Sequence, residues 1–109
     1  MSFNVELTNH FKNEAKRLSR KYRSLKSELS ELFDELENNP TLGTPLGQDV
    51  FKIRLGIASK GKGKSGGARV VIYVIIDEST VLLLAIYDKA NKSNITVKEI
   101  KDLMDEYGR

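Results

Sequence analysis

Phe3, Val5 and Leu7 alternate with polar neighbours, which predicts a short opening strand before a polar turn at Thr8-Asn9-His10. The period then changes. Phe11, Ala15, Leu18 and Tyr22 recur every three or four positions, and Leu25, Leu29, Leu32 and Leu36 continue beyond a break near Arg23-Ser24. That spacing predicts two tightly joined helices. The first carries Lys12, Lys16, Arg17, Arg20 and Lys21, the second Glu28, Glu31, Asp34, Glu35 and Glu37, so one is basic and the other acidic. Both prolines and two glycines fall between Asn38 and Gly47, which predicts a loop closing the helical hairpin.

From Val50 to Ile57 the chain alternates again, with Phe51, Ile53, Leu55 and Ile57 on one face and Lys52 and Arg54 on the other. Ala68 to Ile76 is apolar on both faces except for Arg69 and Tyr73, which share one side, and so reads as a central strand. Asp77-Glu78-Ser79 marks a turn, and Thr80 to Tyr87 reads as another buried strand. Three successive strands with short connections predict an antiparallel meander. Thr96 and Glu99 have capping-box spacing, and Ile100, Leu103, Met104 and Tyr107 follow at helical intervals. The expected order is strand, two helices, three strands, helix: an α+β domain with an antiparallel sheet.

Composition narrows this picture. At 109 residues, with 39% hydrophobic and 30% charged, the chain fits one domain over residues 1–109. The absence of cysteine excludes a disulfide framework, a thiol nucleophile and the usual zinc ligand sets. No His/Asp/Glu spacing suggests a metal site, and no cofactor motif stands out. The longest apolar run, near Val70 to Ile76, is far too short to span a bilayer, so a cytoplasmic protein with no membrane partner is expected.

Net charge is only +3, from 18 basic and 15 acidic residues, but the positive charge is concentrated. Lys52, Arg54, Lys60, Lys62, Lys64 and Arg69 lie in one stretch, and no acidic residue occurs between Asp49 and Asp77. A lysine run alone reads as a solvated loop. Here Lys52, Arg54 and Arg69 sit on the flanking strands, where an ordered backbone can aim them at a polyanion. Ala58 to Ser65 comes within one residue of a phosphate-binding P-loop, but Ser65 runs through Gly66-Gly67 into a strand instead of a helix, which excludes that reading. His10, the only histidine, has no nearby Ser or carboxylate pattern to form a triad. Tyr87, Asp88, Lys89 and Lys92 follow the last strand, where functional groups often stand on a rigid scaffold.

The segments KIRLGIASKGKGKSGGARVVIYVIIDE and LLLAIYDKANKSNI, with the Thr96-to-Tyr107 helix, resemble the RelE/HigB family of bacterial toxins. They are most similar to HigB-type members with an ASKGKGK-x-GG-x-R hairpin. The resemblance implies a RelE-like fold, a cognate antitoxin with which the toxin forms a hetero-oligomer, and cleavage of mRNA on the ribosome. By the resemblance Arg69 stabilises transition-state charge, while Lys52 and Arg54 bind the backbone or, for Lys52, assist proton transfer. The family's further arginine and tyrosine align near Ala90 and Thr96, where this chain offers Lys89, Lys92 and no tyrosine. Tyr87 and Asp88 are the candidate acid-base substitutes, and Lys60, Lys62 and Lys64 at the hairpin tip are expected to grip rRNA or mRNA. A ParE-like gyrase poison and a non-catalytic RNA- or ribosome-binding module are the alternatives, as is a degenerate toxin that keeps antitoxin binding without cleavage.

Overall fold

Thr8 ends the first strand and starts the first helix. Its hydroxyl accepts a hydrogen bond from the Phe11 amide at 3.1 Å, capping the helix, and donates to the Leu83 carbonyl at 3.0 Å, pinning that end to the sheet. The computed structural model describes residues 2–61 and 66–107. Within them lie β1 (Asn4–Leu7), α1 (Asn9–Lys21), α2 (Leu25–Asn38), β2 (Thr44–Gly47), β3 (Val50–Leu55), β4 (Ala68–Ile75), β5 (Thr80–Asp88) and α3 (Val97–Tyr107). The expected turn at residues 8–10 is therefore the cap and first residues of α1.

The five strands form one sheet in the order β1-β5-β4-β3-β2. β2 to β5 pair antiparallel as a meander, while β1 pairs parallel to β5, so the sheet is mixed where a purely antiparallel one was expected. β2 is the other departure: Thr44–Gly47, read as loop because of its proline and glycine, is an edge strand, a position that tolerates proline. The α+β class and the element order otherwise hold.

α1 and α2 cover one face of the sheet. Their buried Phe11, Leu18, Leu25, Leu29, Leu32 and Leu36 pack on Ile53, Val70, Ile72, Val81 and Leu83. The opposite face is covered by α3 and the residues leading into it, where Ile100 and Ile95 pack with Val71, Leu82, Leu84 and Ala85. Ser24 precedes α2 without capping it, because its hydroxyl bonds to Ser59 and Glu28 instead. The 3₁₀ turn Ala58–Lys60 that follows β3 is thereby docked on the helical hairpin, with the Ala58 amide donating to Glu28 Oε2 at 2.6 Å. α3 does begin with the expected capping box: the Glu99 amide donates to Thr96 Oγ1, and the Thr96 amide to Glu99 Oε1.

The pairing of β4 with β5 contains an irregularity that decides where the candidate residues point. Val71 pairs with Ala85 and Ile72 with Leu83, leaving Leu84 as an extra residue in β5. Such a bulge reverses the alternation beyond it. Tyr87 consequently lies on the α3 face with Arg69, and Asp88 on the α1/α2 face.

Gly43 enters β2 at φ +106°, where a Cβ would come within 2.6 Å of the Lys52 carbonyl oxygen and 2.8 Å of Ile53 Cγ1. Gly47, at φ +96°, has no atom within 4 Å of the equivalent position. Gly43→Ala is expected to destabilise the fold by about 3 kcal/mol and Gly47→Ala by about 1 kcal/mol in urea unfolding. Equal losses would mean that the approach of Gly43 to β3 does not constrain the chain.

Candidate nucleic-acid interface

Strand register assembles the site. Arg54 on β3 pairs with Arg69 on β4, which pairs with Tyr87 on β5, so the three form one row across the sheet. Lys52 lies two residues along β3 from Arg54, and alternation puts it on the same face. Arg54 is exposed, whereas Arg69 is buried, and one of its guanidinium nitrogens donates to its neighbour Ala68's carbonyl at 3.2 Å. An arginine in a central strand, with an open arginine beside it, provides a fixed and a mobile positive group next to each other.

The Tyr87 hydroxyl is buried and has no hydrogen-bond partner among the described residues. Burial pushes the phenol up from its ordinary value, opposed by the positive charges of Arg69 and Lys92 and reinforced by Glu99. Tyr87 is therefore a neutral O–H donor at physiological pH. A buried donor without an acceptor is costly unless something arrives to accept from it. Tyr87 borders a cleft of about 450 Å³ between α1, the end of β5 and α3, together with Lys92, Glu99 and His10.

The remaining cations divide by their partners. Lys92 Nζ lies 2.6 Å from Glu99 Oε2, and that bond, with the Thr96 amide, holds Glu99 below the usual carboxylate range. Lys52 donates to Asn94 Oδ1 at 3.3 Å, and Lys89 to the Ser93 carbonyl at 2.7 Å. Asn94 and Glu99 were not among the sequence candidates; the capping-box spacing of Glu99 was the only visible signal for either. Lys62 and Lys64 lie outside the described residues.

Asp88 and Lys60 are separated from this row by the sheet itself. Asp88 Oδ1 accepts from Lys60 Nζ at 2.5 Å and from the Ala90 amide at 3.0 Å, and Oδ2 accepts from the Tyr22 hydroxyl at 2.6 Å. The side chains of Lys60 and Asp88 are only 8% and 1% exposed. Lys60 is thus not the open tip lysine that the hairpin pattern led one to expect, because a buried carboxylate neutralises it. Burial alone would raise the Asp88 carboxyl, but the bonds from Lys60, Tyr22 and Ala90 outweigh it and hold the group at about 2.

A groove of about 790 Å³ between α2 and β3 has Glu28, Glu31 and Glu35 along one wall. It is larger than the Tyr87 cleft and is also lined by Lys52 and Arg54, so its three carboxylates offset those cations there, whereas Arg69 and Tyr87 do not border it. Among the described residues no group of His, Asp or Glu side chains has the arrangement of a metal site, and no helix is long and apolar enough to cross a membrane.

A small α+β domain with a cationic row on one sheet face is an architecture suited to holding a phosphate chain. The chain belongs to the RelE family: residues 8–106 match the family model described as the RelE toxin of the RelE / RelB toxin-antitoxin system. HigB-type kinship in particular is not distinguished by that match. Solved structures share the fold. The E. coli toxin RelE in the free state, a double arginine-to-alanine mutant, superposes with a TM-score of 0.65 at 16% identity, over 97% of this chain and 98% of that one. The RelBE2 toxin-antitoxin complex of Mycobacterium tuberculosis gives 0.60 at 18% identity, over 81% and 99%. The intact E. coli RelBE toxin-antitoxin complex gives 0.51 at 19%, over 80% and 96%.

The Asp88 network has a signature in acid. A carboxyl held at about 2, against an ordinary 3.8, contributes stability that is complete above pH 4 and is lost as pH falls toward 2. The loss is of order 2 kcal/mol. Acid titration of the unfolding free energy is expected to show this decline, and Asp88→Asn to remove it. An unchanged decline in the variant would assign the acid lability to other carboxylates.

Proposed function

We propose that this chain is the toxin of a type II toxin-antitoxin pair and an endoribonuclease that cleaves mRNA on the ribosome in the cytoplasm. The observation that carries the reading is the Arg54–Arg69–Tyr87 row, in which Arg69 stands between a second arginine and a tyrosine with a neutral buried hydroxyl. Cleavage by attack of a ribose 2′-hydroxyl on the adjacent phosphate places extra negative charge on the phosphate oxygens. It also requires a proton for the departing 5′-oxygen. Arg69 and Arg54 stabilise the charge, and Tyr87, kept protonated by its burial, delivers the proton. Lys52 binds the neighbouring phosphate, and the 2′-hydroxyl gives its proton to water as it attacks. Lys92, Lys89, Lys62 and Lys64 supply further contacts to the RNA backbone, which make binding salt-dependent.

No metal or cofactor takes part in this scheme. The partner is an antitoxin; family membership supports this, and so do the solved toxin-antitoxin complexes that share the fold. The antitoxin holds the toxin in a hetero-oligomer until it is removed.

Induced expression is expected to arrest growth, and mapping of transcript 5′ ends to reveal new ends within translated codons. Arg69→Ala is expected to lower the cleavage rate by about 10²- to 10³-fold and Tyr87→Phe by about 10²-fold, each with little loss of stability. Intact transcripts in arrested cells would sink the nuclease reading. Supercoiling defects and DNA damage in their place would identify a gyrase poison, and salt-dependent RNA binding without turnover a non-catalytic module.

A further inference from the structure

Asp88 is the last residue of β5, immediately after Tyr87, and its contacts reach three other parts of the chain. Its carboxylate bonds Lys60, in the 3₁₀ turn after β3, and Tyr22, at the end of α1. It also accepts from the Ala90 amide, while its carbonyl accepts from the Asn91 and Lys92 amides, each at 3.0 Å. Lys21 Nζ stands 3.9 Å from the same carboxylate, and the Lys21 and Lys60 ammonium groups lie 5.3 and 5.5 Å from the Tyr22 ring centroid. The other end of the β3–β4 connection is tied to the next residue, since the Lys89 amide donates to the Gly67 carbonyl at 3.1 Å. Both ends of the glycine-rich connection are therefore fastened to two consecutive residues, and the turn carrying Lys92 folds back on the first of them.

We infer that Asp88 is a positioning residue, a buried clamp that sets the 3₁₀ turn at Ala58–Lys60 and the 89–92 turn relative to the Arg54–Arg69–Tyr87 row and so organises RNA binding without touching RNA. The inference rests on the RNA-binding reading above. It changes the role of two candidates: Lys60 holds the loop base instead of a phosphate, and Asp88 holds Lys60 instead of a proton in transit. The Asp88 carboxylate faces α1 and α2, with the sheet between it and Tyr87, so it has no path to a phosphate bound on the arginine row.

The sign of one effect separates this role from simple electrostatics. Asp88→Asn removes a negative charge and frees Lys60, so a purely electrostatic account expects tighter binding to RNA. The clamp expects weaker binding, by about tenfold, because a charged anchor of the loop is lost.

Binding is measured by fluorescence anisotropy with a single-stranded oligoribonucleotide carrying 2′-O-methyl groups throughout, which 2′-hydroxyl attack cannot cleave. Lys60→Met is expected to weaken binding as much as Asp88→Asn, and the double variant no more than the worse single one, since both delete one contact. Tyr22→Phe, which removes only the hydroxyl bond, is expected to cost about threefold and serves if the charge variants fold poorly. Hydrogen exchange at the Lys60, Gly61, Ala90 and Lys92 amides is expected to accelerate in all of these variants, while Val70 to Val74 stay protected.

Tighter binding by Asp88→Asn, or additive losses that make Lys60 an independent RNA contact, would overturn the inference. Failure of the unaltered chain to bind the oligonucleotide would overturn the RNA reading and the functional half of the clamp with it. Exchange unchanged at those four amides would overturn the clamp alone.

Discussion

The candidate site depends on the register of three strands. Arg69 lies buried in the central strand, between Arg54 and Tyr87, because the two apolar layers on either side of the sheet fix the pairing. A shift of one residue would turn Val70 toward the α3 face and drive Arg69 among the leucines of α1 and α2, a costly burial of charge in an apolar layer. Hydrophobic packing on the helical face thus enforces the placement of charge on the other. The same packing that stabilises the domain also preorganises the cationic row.

The bulge at Leu84 adds a second condition. With regular alternation, Leu82, Leu84, Ile86 and Asp88 would share the α3 face and Tyr87 would point toward the helical hairpin. The extra residue exchanges them, so that the hydroxyl joins the arginines and the carboxylate meets Lys60 and Tyr22. Thr8 secures the spot: its hydroxyl lies 3.0 and 3.3 Å from the Leu83 and Leu84 carbonyls while capping α1. One local irregularity gives two adjacent residues opposite duties, the proposed chemistry for Tyr87 and the proposed clamping for Asp88.

These features explain what could be read from the sequence. α1, α2 and α3 were legible because their apolar residues repeat at helical intervals, and Thr96 and Glu99 announced the start of α3. Lys52, Arg54 and Arg69 were legible as one face because β3 alternates and Arg69 interrupts an otherwise apolar strand. β5 was legible as a strand but not in its facing, since its interior VLLLAI is apolar throughout and period-two reasoning has no polar position there to count from. The pairing of Lys60 with Asp88 was hidden for a different reason. Its partners are 28 residues apart, and a lysine in a glycine-rich run carries no mark of whether it meets water or a carboxylate. The parallel partnership of β1 with β5 likewise depends on long-range packing that no local pattern encodes.

The most direct test of the Arg54–Arg69–Tyr87 row is a solution NMR titration of the chain with a non-cleavable 2′-O-methyl oligoribonucleotide, following arginine side-chain N–H groups and backbone amides. The row predicts the largest shifts at Arg54, Arg69 and Tyr87, weaker ones at Lys52 and Lys92, and silence along Glu28, Glu31 and Glu35. Shifts centred on the α2 groove, with Arg69 unmoved, would contradict it.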